Sequence, residues 1–167
     1  MDDGQTEIIG RHWLIRELLE AGLEVALPER DRGVDLIAYS ELDGSGRFVA
    51  KPIQLKSAND CSFAVDQKYE PSQELLIAYV WHVADPEKTC CYCLTYSEAE
   101  GVAQRLRWTE TNSWKEGHNY TTQHPSRELV GILEPFLMDS TKWSQKVGIS
   151  LASGPRPRDE AAEAVPE

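Results

Sequence analysis

The stretch 33-GVDLIAYSELDGSGRFVAKPIQLKS-57 decides how this chain is read. Val34 to Ser40 is a short, mostly apolar run of the kind that forms a strand. The segment ELDGSG that follows carries the aspartate and glycines of a hairpin connection. RFVAKPIQLKS, from Arg47 to Ser57, then returns as the partner strand. Successive side chains on a strand alternate faces, so Gln54 and Lys56 point one way while Ile53 and Leu55 point the other. If ELDGSG closes the hairpin, Ser40 falls opposite about Arg47, and Asp35 opposite about Pro52. Asp35 is then within two residues of Gln54, and an acid, an amide and an ammonium share one patch.

Upstream, Thr6 to Ala21 reads as an amphipathic helix. Glu7, Arg11, Leu14 and Leu18 fall on one stripe, with Ile8, Ile15 and Leu19 beside it. Gly22 is a natural stop, because helices often end on a glycine in the left-handed conformation. A short strand, Glu24 to Pro28, precedes the polar turn ERDRG. Glu7 lies in the first helical turn on the stripe expected to face the sheet, which would add a second carboxylate to the patch. The helix dipole alone also favours an acid there.

Downstream, a short strand is expected around Phe63 and Val65, followed by a loop or helical turn. Leu75 to Val83 reads as a buried strand ended by the turn ADPEK, and Thr89 to Tyr96 as another strand. Ser97 with Glu100 fits a capping box for a helix running to about Trp108. Residues 109–125 read as a long loop with a short strand at His118 to Thr122. Ser126 caps a last helix that Pro135 interrupts. The expected domain spans residues 1–153, and the Pro-, Ala- and Glu-rich segment 154–167 is expected to be a disordered tail.

Composition bounds the function. With 167 residues, 41% apolar and 27% charged, the chain fits one ordinary globular domain. No apolar run approaches the roughly 20 residues that span a bilayer. The acidic start MDDGQTEIIG lacks the order of a signal peptide, so the expected location is cytoplasmic. The net charge of −11 opposes nonspecific binding to phosphate backbones and calls for a local basic face in any nucleic-acid reading. Cys61, Cys90, Cys91 and Cys93 show no zinc-knuckle or disulfide spacing and read as free thiols on a strand; a zinc site would need His82 or His118 folded alongside.

The donor set around Asp35 suits a hard cation, since magnesium prefers oxygen ligands. The order of a helix bearing Glu7, a strand with Gly33-Val34-Asp35-Leu36-Ile37, a turn, and Ile53-Gln54-Leu55-Lys56 resembles the PD-(D/E)XK, restriction-endonuclease-like nuclease superfamily over residues 6 to 100. The resemblance implies an α/β fold with an αβββαβ core, a mixed central sheet flanked by helices. It implies that Asp35 and Gln54 bind Mg2+, or Mn2+ in its place, that Lys56 is catalytic, and that Glu7 assists as a further ligand. The implied activity is metal-dependent phosphodiester hydrolysis, with DNA as the expected partner and a homodimer as a natural way to cut two strands. Three features depart from the commonest pattern: no proline precedes Asp35, Gln54 stands where glutamate is more usual, and Pro52 lies inside the strand, which requires a bulge or a local edge.

Plainer readings stand beside these. Asp35 after Gly33 also suits a turn that accepts backbone donors, and Lys56 a strand-edge charge. His12, His82, His118 and His124 show no ligand spacing. Trp108, Trp114 and Tyr120, with Lys115, fit either nucleic-acid stacking or packing beneath a loop. Two classes therefore stay open: a nuclease, or a non-catalytic relative on the same scaffold that binds protein or nucleic acid.

Overall fold

Asp2 starts the first helix by accepting the Gln5 N–H at 2.8 Å while the Gln5 side chain returns to the Asp2 N–H, a complete capping box. The helix α1 is therefore longer at its start than its hydrophobic pattern suggests, spanning Asp3–Glu20. Its buried stripe is Thr6, Gly10, Leu14 and Leu18, spaced four apart. The expected stripe is right at Leu14 and Leu18 but one residue off at its start, so Glu7 faces outward. Gly22 follows with φ +76°, the conformation that a side chain disfavours.

The computed structural model describes residues 1–30, 32–40 and 48–148. The hairpin connection ELDGSG, Arg47, the expected boundary at 153/154 and the tail lie outside the described residues. Strands β1 (Glu24–Ala26), β2 (Leu36–Tyr39), β3 (Ala50–Ser57), β5 (Leu76–Trp81) and β6 (Cys90–Thr95) form one five-stranded sheet in the order β1-β2-β3-β5-β6. All neighbours are antiparallel except β3 and β5, which run parallel. The link between this parallel pair is not a helix. It is β4 (Phe63–Asp66) and a single 3-10 turn, Gln67–Tyr69. β4 pairs with β7 (Asn119–Thr122) in a separate two-stranded sheet. The protein is thus a mixed α/β fold whose five-stranded mixed sheet is flanked by helices.

The register of β2 on β3 pairs Leu36 with Ile53 and Ile37 with Pro52. This is two residues from the pairing expected of the hairpin. A two-residue slip preserves the faces, because the side-chain period is two. Pro52 lies where β3 has only β2 beside it, since the ladder to β5 begins at Ile53↔Leu76. Its missing donor thus falls at a local edge, as required of proline in a strand.

The sheet separates two cores. Ile53, Leu55, Ala78 and Val80 meet Leu14 and Leu18 of α1 and Trp143 and Val147 of α5 (Trp143–Val147). On the other face Ile77, Tyr79 and Trp81 pack with Phe63, Val65 and Tyr69, with α2 (Tyr96–Arg105) and with Leu129 and Leu133 of α4 (Arg127–Leu133). α2 begins two residues earlier than expected: Thr95 and Glu98 form its capping box, not Ser97 and Glu100. Beyond it, the expected long loop contains a 3-10 turn at Trp108–Glu110 and α3 (Asn112–Gly117), ahead of the expected short strand. Trp114 is buried, and Trp108 stacks on Tyr120 with ring centroids 4.3 Å apart, so these aromatics pack internally. No helix among the described residues is long and apolar enough to cross a membrane.

Candidate functional site

Gln54 and Lys56 pair with Ile77 and Tyr79 in the parallel ladder and share their face of the sheet. Ile53 and Leu55 are buried on the opposite face, as strand alternation demands. Asp35 sits one residue before β2, where its N–H donates to the Ile53 carbonyl at 2.9 Å. Gly33, at φ +86°, supplies the left-handed turn that brings the chain into this position. A residue with a side chain would be strained there whatever the room around it.

The Asp35 carboxylate joins the two strands. One oxygen, Oδ2, accepts the Leu55 N–H at 2.6 Å and the Gln54 Nε2 amide at 2.5 Å. The same amide nitrogen donates to the Leu55 carbonyl at 3.2 Å. Two acceptors, a carboxylate oxygen and a main-chain carbonyl, therefore converge on one donor. The amide orientation follows from this arrangement, because both partners can only accept. Asp35 thus does what the turn reading expected, by accepting a backbone donor, and also presents its carboxylate beside Gln54.

Lys56 stands two residues further along the same face. No ion pair of Lys56 is found among the described residues, and its Nζ lies 5.8 Å from the centroid of the Tyr69 ring. Lys68 approaches the same ring at 4.9 Å, so two ammonium groups lie near Tyr69. Lys68 also pairs with Asp66 at 3.0 Å, and that hydrogen bond holds its pKa above the usual lysine value.

Asp35, Gln54, Leu55 and Lys56 open into a cleft of about 340 Å3 whose far wall is the start of α1, with Asp3, Thr6 and Glu7. Glu7 borders this cleft, but its carboxylate is exposed and paired with Arg11 one turn on. The four residues expected to form the site thus line one cleft, with Asp35 and Gln54 in direct contact and Glu7 at the rim. Asp3, four residues before Glu7, is a rim acid that the helix start set at Thr6 left out of view. At the cleft floor Tyr79 is fully buried, its hydroxyl donating to the Ala64 carbonyl at 2.5 Å, and burial pushes its pKa well above the phenol range. A second groove, about 590 Å3, has Tyr69 in its wall and is also lined by Arg32, Gly33, Pro52, Lys68 and Glu74 among others.

Oxygen donors suited to a hard cation are in place: the Asp35 carboxylate and the Leu55 carbonyl meet where the Gln54 amide now sits. Turning that amide about its last side-chain bond would exchange its nitrogen for its oxygen and add a third donor. The residues fit magnesium by chemistry, with few protein ligands and room for water.

The cysteines are free thiols; Cys90, Cys91 and Cys93 lie on β6 as expected, with Cys91 and Cys93 buried, whereas Cys61 lies in the loop ahead of β4. His82, which shows no ligand spacing in sequence, lies beside two residues of metal-ligating type, Asp60 and Cys61. Compared with protein families, with curated proteins and with solved structures, the chain finds no match.

Proposed function

We propose that this protein is a metal-dependent nuclease of the restriction-endonuclease-like type, hydrolysing phosphodiester bonds, with DNA the first substrate to test. The observation that carries the reading is the convergence of the Asp35 carboxylate and the Leu55 carbonyl on the Gln54 amide, with the Lys56 ammonium, which has no ion pair among the described residues, on the same strand face. The element order α1, β1, β2, β3, then a parallel β5, agrees with most of the αβββαβ core, although β4 and a 3-10 turn replace its crossover helix.

In this reading Asp35, the Gln54 amide oxygen and the Leu55 carbonyl hold Mg2+ or Mn2+, with Glu7 reaching the ion through water. A magnesium ion bound there supplies a more acidic water and positive charge beside the phosphodiester. Lys56 stabilises the charge that builds on the phosphoryl oxygens during attack. In this reading Arg32 and Lys68, which line a neighbouring groove together with Glu74, contact phosphates flanking the scissile bond.

A second reading rests on a specific observation. The Gln54 amide satisfies Asp35 and the Leu55 carbonyl without any ion, so the cluster is also a complete structural clasp. That is what a non-catalytic binding module on this scaffold would retain.

The experiment is a cleavage assay of the purified chain on supercoiled, linear and single-stranded DNA and on RNA, with Mg2+ or Mn2+, alongside Lys56→Ala. Metal-dependent nicking that Lys56→Ala abolishes supports the nuclease. Folded protein that cuts none of these with either ion, and binds neither ion in a titration, rejects it.

A further inference from the structure

β3 and β5 run parallel, so both leave the sheet at the same end, and the loops that follow them meet there. Ala58 N–H donates to the Val80 carbonyl at 2.9 Å, His82 N–H to the Asp60 carbonyl at 2.8 Å, and Val83 N–H to the Ala58 carbonyl at 3.1 Å. Thr89 Oγ1 donates to the His82 carbonyl at 3.0 Å, and Trp81 Nε1 to the Ser62 carbonyl at 2.7 Å. Within this frame His82 takes φ +58°, a left-handed conformation uncommon for a residue with a side chain. Such strain persists where surrounding bonds over-determine it, often at functional positions.

The result is a compact cluster of three donor residues. His82 Nε2 lies 3.3 Å from Cys61 Sγ, and His82 Nδ1 lies 3.5 Å from Asp60 Oδ1. One ligand atom from each residue lies within 4.8 Å of the other two. We propose that Asp60, Cys61 and His82 form a binding site for a borderline-soft divalent cation such as zinc, at the shared exit of the parallel strands. This site is separate from the cleft at Asp35 and does not depend on the nuclease reading.

Three arguments carry it. Sulfur and imidazole nitrogen are soft and borderline donors that select zinc over magnesium, opposite to the all-oxygen set at Asp35. A tetrahedral ion bound at about 2.3 Å to sulfur and 2.0–2.1 Å to nitrogen holds those donors roughly 3.5 Å apart, close to the spacing between Cys61 and His82. Binding displaces the Cys61 thiol proton: the Sγ–metal bond forms, and the proton leaves to solvent. Asp60 and His82 are accessible enough for an ion to enter, and the adjoining cleft leaves a fourth position for water.

Cobalt is the probe. The full chain, stripped with a chelator, is titrated with Co2+ and followed by absorption. A thiolate-to-cobalt band in the near ultraviolet, with visible d–d bands, should saturate at one equivalent, release about one proton per ion at neutral pH, and be displaced by Zn2+ but not by excess Mg2+. Cys61→Ser should remove the thiolate band. His82→Asn, which tolerates the left-handed backbone, and Asp60→Asn, a change at an exposed carboxylate, should each weaken binding by roughly 10–100-fold. Cys90→Ser should leave the spectrum unchanged. Absence of a thiolate band in wild-type protein, its survival in Cys61→Ser, or its loss in Cys90→Ser would overturn the site. Failure of the cleavage reading would leave this spectrum untouched.

Discussion

Two polar clusters, one beside β3 and one at its end, differ in how they are built. At Asp35 the donors are oxygens, two of them fixed by the β2–β3 pairing, and the chain fills the centre itself with the Gln54 amide. At Asp60, Cys61 and His82 the donors are mixed and come from loops. Strand geometry sets the first cluster, because alternation fixes which side chains share a face. Loop-to-loop hydrogen bonds set the second. Ser57, at the end of β3, lines the clefts beside both.

Lys56→Ala breaks the comparison most sharply. Lys56 has no ion pair among the described residues, so its removal should leave the melting temperature nearly unchanged, within about 0.5 kcal/mol. Metal-dependent cleavage should fall by on the order of 100-fold or more, as for loss of a group that stabilises transition-state charge. Parallel measurement of Tm and initial rate checks this. An unchanged rate would reduce Lys56 to a surface charge resting on Tyr69.

Gly10→Ala acts on the wall common to both clusters. A Cβ at Gly10 would lie 2.2 Å from Ser57 Oγ and 2.9 Å from its Cβ, so α1 must lift from β3. Overpacking of this kind costs about 1–3 kcal/mol, and denaturant unfolding should register it. Removing the obstructing oxygen with Ser57→Ala in the same chain should recover part of the loss. Full additivity of the two changes would show that the helix and strand do not press on each other there.

The same contrast explains what could be read from sequence. The five sheet strands and the shared face of Gln54 and Lys56 follow from local periodicity, and a two-residue error in register does no harm to a period of two. The cleft was legible for the same reason. Helix starts were not, because the side chains of Asp2 and Thr95 compete with neighbouring acids and hydroxyls as caps, and only packing chooses between them. Glu7 was misplaced by one residue because Gly10 and Thr6, which carry little hydrophobic signal, form the closest contact face. α5 is five residues long and is anchored by Ser144 Oγ donating to the Ala21 carbonyl at 3.0 Å, across 123 residues of sequence. Cys61 and His82 are 21 residues apart and meet only because β3 and β5 are parallel neighbours. No local spacing encodes that.

Gln54→Glu sharpens the account of the oxygen cluster. Without metal, the introduced carboxylate faces the Asp35 carboxylate and the Leu55 carbonyl in place of a donor, so Tm should fall. With Mg2+ present, the added charge should tighten ion binding by roughly tenfold and restore the lost stability. Melting curves with and without Mg2+ read both effects. A Tm that drops and does not respond to Mg2+ would identify the amide as a structural clasp and favour the binding-module reading.

Glu98 gives the smallest effect and the reference for both clusters, since its partner is a built-in ammonium rather than an ion. Its Oε2 accepts from Lys146 Nζ at 2.6 Å and from the Thr95 N–H at 2.7 Å, tying α5 to the start of α2. Burial raises its pKa, but the Lys146 and Thr95 hydrogen bonds outweigh burial, and the net shift is downward. A carboxylate whose folded pKa is depressed stabilises the fold above its unfolded value, and that contribution is lost as pH falls through the lower folded value. Glu98→Gln should therefore be slightly less stable than wild type at pH 7, by a modest margin because the side chain is partly solvent-screened. The two should converge as pH falls through the depressed folded value, where the wild-type carboxylate takes up its proton. Urea unfolding at pH 7 and pH 3.5 measures the difference; a gap that widens in acid would mean that burial, not the Lys146 pair, governs this carboxylate.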